Sequence, residues 1–479
     1  MRGYGGATLT MDPAMHPISA RIGGILTGLA LLATVPHEYG GGQGFAVVAA
    51  GLLVAALLMF SLTARLSRLT FVALGVALIA WAAATRQGWA EATLTALTRG
   101  GFIIALFTAL SALRSAAIGS QDILDCGRFL ARQPPGRRYL ALTVGGHLFG
   151  LILLYGSISL LGSLAAESTA RETDPELRRH RLRRMLVAIQ RGFASTLCWS
   201  PMALSMAVTL SVVPGASWPG AVGLCLVSSA LMIGIGWLLD AVLKPQLSAP
   251  PPPRAVETDG WLSRLRPLLV LLGIVVAGVV ALHLGTGVAV TGAVMTVVPL
   301  VAMAWILILP PLPGGRAATL AARIGQFATR DLAGYRGEII LLFMAGFIGS
   351  LGSWLLVPIM QAHGPDLSAA PPLLILAALV WTIPLTGQIG MNPILAVSLL
   401  VPLLPAPMAL GIHPTAMVVA ITGGWAISGN TSPFTASVLL VGKLGGVEAR
   451  HAGTVWNGLY AVTTAAALTL WVLVAATIL

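Results

Sequence analysis

GGWAISGNTSPFTASVLLVG, residues 423–442, is an apolar segment with a polar run, SGNTSP, at its centre. Apolar chain leads up to it and away from it. An uninterrupted membrane helix has no use for a serine–proline pair at half depth. In hydrocarbon every backbone N–H and C=O has to be satisfied within the protein. Irregular backbone at that depth survives only where protein or a water-filled cavity covers it. The stretch therefore reads as two half-helices that meet a neighbour near the middle of a membrane.

The composition supports that setting. Of 479 residues, 57% are hydrophobic and 9% charged, whereas soluble domains carry about a quarter charged residues. Segments long enough to cross a bilayer lie near 19–35, 44–64, 69–85, 96–118, 192–213, 220–243, 267–284, 288–310, 337–358, 414–441 and 457–478. Two further apolar segments lie near 139–165 and 372–403. The expected fold is all-α: a polytopic membrane protein of about 11 transmembrane helices, two oppositely oriented re-entrant hairpins and an inverted repeat.

The net charge is +12. Its distribution argues for membrane topology and against a nucleic-acid surface. With the N-terminus inside and both extra segments returning to their starting side, 26 of the 28 basic residues fall inside; Arg86 and Arg99 fall outside. That is the positive-inside pattern. It predicts a multi-pass inner (plasma) membrane protein with a cytoplasmic N-terminus and an external C-terminus. Cys126, Cys198 and Cys225 are scattered and show neither a disulfide framework nor a metal spacing. The opening MRGYGGATLTMDPAMHPISARIGG lacks the parts of a cleaved signal, so the first span is expected to be retained.

GFASTLCWSPMALS (192–205) aligns with GWAISGNTSPFTAS (424–437). Gly192 matches Gly424, Ala194 matches Ala426, Ser200 matches Ser432, Pro201 matches Pro433 and Ser205 matches Ser437. The first copy follows a basic loop and runs outward. The second follows PAPMALGIHPT, which has no basic residue, and runs inward toward Lys443. One pattern in two opposite directions is an inverted repeat. The segment 139–168 is flanked by Arg137, Arg138 and Arg171, so both its ends are expected inside. The segment 371–407 has no Lys or Arg near either end, so both are expected outside. Each has a small or polar centre, YGSIS (155–159) and TGQIGMNP (386–393), as a hairpin tip requires. The segments 121–133 and 316–336 read as amphipathic surface helices. The basic run RRHRLRRM (178–185) reads as a positive-inside anchor, the other reading being a site for an anion or lipid.

Serine is a good N-cap and proline suits the first helical position. Ser200-Pro201, Ser432-Pro433 and Asn392-Pro393 are therefore expected to restart helices, and Ser157 or Ser159 to cap the second arm of the first hairpin. A helix that starts at mid-depth aims free N–H groups and a positive dipole end at its neighbour, which suits an anion. Carbonyls of the preceding half-helix, with hydroxyl and amide oxygens, suit Na⁺. The candidate substrate- and ion-binding residues are Gly156, Ser157, Ser159, Thr196, Ser200, Pro201, Thr386, Gly387, Gln388, Gly390, Asn392, Pro393, Ser428, Gly429, Asn430, Thr431, Ser432 and Pro433. The competing reading is that these residues merely kink packed helices, since Pro and Gly are common in membrane spans. Four interruptions in two inverted copies favour a site.

All sixteen acidic residues lie in loops or near span ends. A mid-depth carboxylate, the usual mark of proton relays and cation exchange, is missing from the pattern. An anionic substrate fits better, with Na⁺ held by neutral oxygens or with proton coupling. His147, His283 and His413 read as packed hydrogen-bonding residues, and Trp199 and Trp425 as packing mass that could wall a site. No convergent cluster suggests an enzyme, and neither a cofactor nor a resident metal is expected.

This layout resembles the ion transporter superfamily, most nearly the divalent anion:sodium symporter architecture. The resemblance rests on the span count, the inward and outward hairpins and the Ser-Pro breaks at 200–201 and 432–433, and covers the chain from about residue 44 onward. It implies a scaffold domain, a mobile transport domain, an elevator movement and a homodimer, in contact with a small anionic substrate and the lipid bilayer and with no nucleic acid. It further implies tips that carry Ser-Asn-Thr; the tips here carry Gly-Ser-Ile-Ser (156–159) and Gly-Gln-Ile-Gly-Met-Asn (387–392). The domain division expected is 1–43 (N-terminal segment and first span), 44–243 (first repeat), 244–266 (Pro-rich cytoplasmic linker) and 267–479 (second repeat). A Na⁺/H⁺ antiporter of the same architecture is the alternative, and a non-transporting subunit or membrane enzyme the alternative of another class.

Overall fold

The computed structural model describes residues 17–118, 120–170, 172–243, 261–311, 313–365 and 367–479. The sequence expectations for residues 1–16, Arg171 and linker residues 244–260 lie outside them. The described chain is helical throughout, an all-α polytopic membrane protein.

The first half begins with α1 (Ile18–Glu38), α2 (Gln43–Ser61), α3 (Leu66–Thr85) and α4 (Trp89–Ile118), all long and apolar enough to cross a bilayer. The amphipathic α5 (Gln121–Ala131) follows, with Ile123, Cys126, Phe129 and Leu130 buried. Then come α6 (Pro135–Leu153), α7 (Gly156–Ala170), α8 (Pro175–Thr196), α9 (Leu204–Val212) and α10 (Trp218–Val242). The second half contains α11 (Trp261–Thr286), α12 (Val290–Ile308), the surface helix α13 (Gly315–Gln326), a π-helical turn at Phe327–Asp331, the single turn α14 (Leu332–Gly334) and α15 (Arg336–His363). After these come α16 (Pro372–Gln388), α17 (Pro393–Leu400), α18 (Pro414–Thr431), α19 (Ala436–Gly445), a second π-helical turn at His451–Trp456 and α20 (Gly458–Ile478).

Local chemistry sets several of these boundaries. Asp174 accepts from the N–H groups of Glu176 and Leu177 and caps α8, with Pro175 at its first position. Ser217 caps α10 before Pro219, and His413 caps α18 before Pro414. Gly446, at φ 66°, ends α19 in the left-handed region, where a Cβ would be unfavourable.

Nine helices among the described residues have the length and apolarity of a span. The pairs α8–α9 and α18–α19 supply two broken crossings, and α6–α7 and α16–α17 are helix–turn–helix hairpins. Packing gives their directions. Gly146 on α6 lies against Ile189 on α8, and Gly150 against Phe193 and Thr196, so α6 and α8 run parallel in direct contact, and α7 packs on both. In the second half, Gly424 on α18 lies against Leu379 and Val380 on α16, and Gly387 against Ser428 and Ser432. The relation is the same. Gln190 and Ala194 on α8 meet Gly429, while Leu186 meets Gly445, so α8 and α18–α19 run antiparallel. The second arms cross over between the copies: α7 packs on α19, and α9 packs on α17.

Candidate functional site

The register of each hairpin puts its tip beside the break of the next span. Gly150 meets Thr196, so the turn at Leu154–Tyr155 comes level with the end of α8. Gly387 meets Ser432, so the turn at Ile389–Asn392 comes level with the end of α18. Four helices, α7, α9, α17 and α19, thus begin at the tips and breaks, where Ile389 and Phe434 are 80% and 58% exposed. Each brings the positive end of its dipole to its own tip or break; in α7 the first N–H groups are taken up by the Leu154 and Tyr155 carbonyls.

Both spans break in the same way. The Ser200 carbonyl accepts from Ala203 N–H at 3.0 Å, and the Ser432 carbonyl from Thr435 N–H at 3.1 Å. Each is a β-turn with Ser first and Pro second, where the fixed φ of proline fits. This corrects the reading of Ser-Pro as cap and first helical residue. The helices begin three residues later, and their N-caps, Ala203 and Thr435, make no side-chain capping bond. The serine hydroxyls instead accept from Met202 N–H and Phe434 N–H within the turn. Asn392-Pro393 does have the expected form: Asn392 Oδ1 accepts from Ile394 N–H at 2.8 Å and Pro393 opens α17.

The first tip also differs from expectation. It turns at Leu154 (φ 53°) and Tyr155, ahead of the Gly-Ser-Ile-Ser run. Ser157 lies inside α7 and donates to the Leu154 carbonyl at 2.7 Å, so it caps nothing. Ser159 is also within α7.

The second tip and second break touch directly. Ser432 Oγ donates to the Gly387 carbonyl at 2.6 Å, and Gly390 (φ 95°) lies against Phe434. A Cβ on Gly387 would come within 2.6 Å of Ser428 Oγ, so glycine permits this approach. Thr386 and Gln388 turn back to the carbonyls of Ile383 and Pro384. The Gly429 carbonyl accepts from Ser437 Oγ and from Gln190 Nε2. Thr431 donates to Ile427, and Thr196 to Phe193. Asn430 donates to Ala426, but its Oδ1 and the hydroxyl of Ser428 are buried with no partner among the described residues. At the first break, Trp199 Nε1 is in the same condition. Trp199 stacks on His147, whose Nδ1 is 2.7 Å from Ser195 Oγ. Buried polar atoms are nearly always paired; these three lie at the breaks, and others, among them those of Thr93, Ser111, Trp305 and Thr464, lie elsewhere.

The sequence reading missed Arg114, which it placed among the cytoplasmic basic residues. Its guanidinium lies over the rings of Tyr155 (4.9 Å) and Tyr335 (5.3 Å). A Cβ on Gly156 would be 2.7 Å from Arg114 Nε. Arg114 Nε and Nη1 are buried with no acceptor among the described residues. Its neighbour Ser115 bonds Asp331, whose carboxyl burial pushes above its ordinary value. A signal was present: Arg114 is a single cation between Arg99 and Asp122 in an otherwise uncharged run. Arg138 and Arg191 are also buried.

A cavity of about 580 Å³ lies where α1 and α11 end and α2, α4, α10 and α12 begin, with part of α9 on its wall. Glu38, Thr98, Arg99, Ser211 and His283 supply polar lining. Arg99 Nη1 donates to the Ser211 carbonyl at 3.3 Å, bridging α4 and α9.

The chain matches no protein-family model and no curated relative by sequence. Its fold is similar to that of the YdaH transporter of Alcanivorax borkumensis, with a TM-score of 0.56, 17% identity and coverage of 86% of this chain and 98% of that one. It is also similar to MtrF of Neisseria gonorrhoeae, described among antimetabolite efflux pumps, with a TM-score of 0.52, 13% identity and coverage of 87% of this chain and 96% of that one. The chain thus has a fold found in membrane transporters, and the nearer resemblance to divalent anion:sodium symporters stays a reading of the sequence.

Proposed function

We propose that this protein is a secondary active transporter that moves a small anion, a carboxylate, across the inner membrane, coupled to Na⁺ or H⁺. The observation that carries the reading is that each hairpin tip lies beside the break of the next span, which sets helix starts at both, with Arg114 beside the first tip, its Nε and Nη1 without an acceptor among the described residues. Helix N-termini and a guanidinium both favour a carboxylate. The buried oxygens of Ser428 and Asn430 suit Na⁺. No Asp or Glu stands in the tips or the breaks themselves, which weighs against the cation–proton antiporter.

Alternating access then works by an elevator movement. The hairpins and broken spans travel as a homodimer's transport domains past α4 and α15, which pack closely through Gly100 and Gly346.

The test is thermal unfolding of the purified protein against mono-, di- and tricarboxylates, sulfate and arsenite, with and without Na⁺ and across pH. A ligand that binds the folded state raises the midpoint with occupancy. A carboxylate shift that depends on Na⁺ or on pH is expected, with the same compound crossing proteoliposome membranes. A shift with Na⁺ or Li⁺ alone, and none with any anion, would overturn the reading.

A further inference from the structure

The basic run 178–185 does not end as a solvated face. It delivers His180, Arg183 and Arg184 to a cavity of about 370 Å³ between the starts of α6 and α20, the end of α10 and the side of α8. Arg191 joins them from two turns further along α8, about 12 Å deeper by helix rise. Asp240 is the acidic residue on the described wall, and Arg184 holds it in a two-bonded pair at 2.8 and 2.7 Å. Arg183 and Arg191 therefore face the cavity without a carboxylate from its wall.

Arg191 is built in. It is 7% exposed, and it donates to Asn457 Oδ1 and to the Tyr139 hydroxyl, each at 3.0 Å, and to the Trp456 carbonyl at 3.4 Å, which leaves two of its five N–H groups. Its guanidinium lies 4.1 Å from the centre of the Tyr460 ring. Arg183 lies over Trp456 at 5.9 Å. A guanidinium keeps its charge when buried, so the site carries a fixed excess of positive charge. Its remaining N–H groups suit the oxygens of a phosphate.

The rim decides which phosphate. Leu243 just past the end of α10, Val455 on the π-helical turn and Leu459 in the first turn of α20 are 57%, 59% and 57% exposed, at the ends of two helices long and apolar enough to cross a bilayer. A free phosphate ion has no use for such a rim. An anionic phospholipid matches both parts, with its headgroup between Arg183 and Arg191 and its acyl chains along the apolar side chains. We infer that this cavity is a binding site for the phosphate headgroup of an anionic phospholipid. The inference does not depend on what the protein transports.

The experiment titrates the full-length protein, purified in neutral detergent, with short-chain phosphatidylglycerol, phosphatidylcholine of the same chains, or inorganic phosphate. Thermal unfolding gives the midpoint, and native mass spectrometry counts retained lipid. Phosphatidylglycerol is expected to raise the midpoint saturably and phosphatidylcholine to leave it. Loss of one charged hydrogen-bonding partner in Arg183→Gln should weaken half-saturation about tenfold. Arg178→Gln, an exposed position in the same run outside the cavity, should weaken it less than about twofold. Equal responses to the two lipids, or equal losses in the two variants, would show only diffuse attraction and overturn the site. Inorganic phosphate acting at the same concentration as phosphatidylglycerol would overturn the lipid. If Arg183→Gln alone lowers the midpoint, the retained-lipid count decides: an unchanged count overturns the proposal.

Discussion

The Ser432 hydroxyl donates to the Gly387 carbonyl at 2.6 Å, joining the broken span of the second half to the tip of its own hairpin. The bond is buried and locks two irregular segments together. Ser432→Ala should cost about 1 kcal/mol of stability, one buried hydrogen bond, and reduce proteoliposome transport about tenfold or more. Gly387→Ala drives a methyl toward Ser428 Oγ and should reduce it further. Full transport in both variants would show that the tie is only structural.

Asn430→Ala and Ser200→Ala are expected to abolish transport while leaving membrane insertion intact. Asn430 offers an unpartnered oxygen, and Ser200 sets the first turn of the first break. Uptake assays on protein normalised by surface labelling check this. Wild-type rates in both would remove the breaks from the site.

Arg114 is expected to hold the charge of the substrate. Arg114→Gln should eliminate the anion-dependent rise in unfolding midpoint, and Arg114→Lys should recover only part of it, because an ammonium cannot repeat the planar fork. Gly156→Ala, which crowds Arg114 Nε, should weaken anion affinity about tenfold. An undiminished anion response in Arg114→Gln would assign the guanidinium to packing on Tyr155 and Tyr335.

Asp331 gives a pH dependence of known sign. Burial raises its carboxyl above the ordinary 3.8, against the Ser115 hydrogen bond and the nearby arginine charges. The folded state therefore keeps this proton to higher pH than the unfolded chain. The group's stabilising contribution is complete below the unfolded value and is lost as pH rises through the folded one. Asp331→Asn should gain on wild type in unfolding midpoint as pH climbs from about 4 to about 7. Parallel curves would contradict this.

Much of the fold could be read from the chain because hydrocarbon imposes simple rules. Apolar length marked the crossings, and polar interruptions marked where they break. Ser-Pro was legible as a break but not as a turn, because proline's fixed φ suits a first helical position and a second turn position alike. The first tip was misplaced by a few residues. Its turn uses Leu154 at positive φ, a conformation that costs a leucine about 1–3 kcal/mol and has no sequence signature. Arg114 was hidden by the same charge rule that gave the topology, since that rule treats every arginine near a span end as a marker of sidedness.

The crossed packing of second arms has a consequence for how the chain is made. Gly162 on α7 rests against Leu444 on α19, and α9 rests on α17. At the moment the ribosome finishes α10, neither early arm has its final neighbour. The first hairpin and first broken helix must then wait, with incomplete surfaces, until nearly the whole polypeptide has been synthesised. The two similar halves are thus interdependent in assembly, and a fragment ending before α11 lacks the surfaces that complete its own interior.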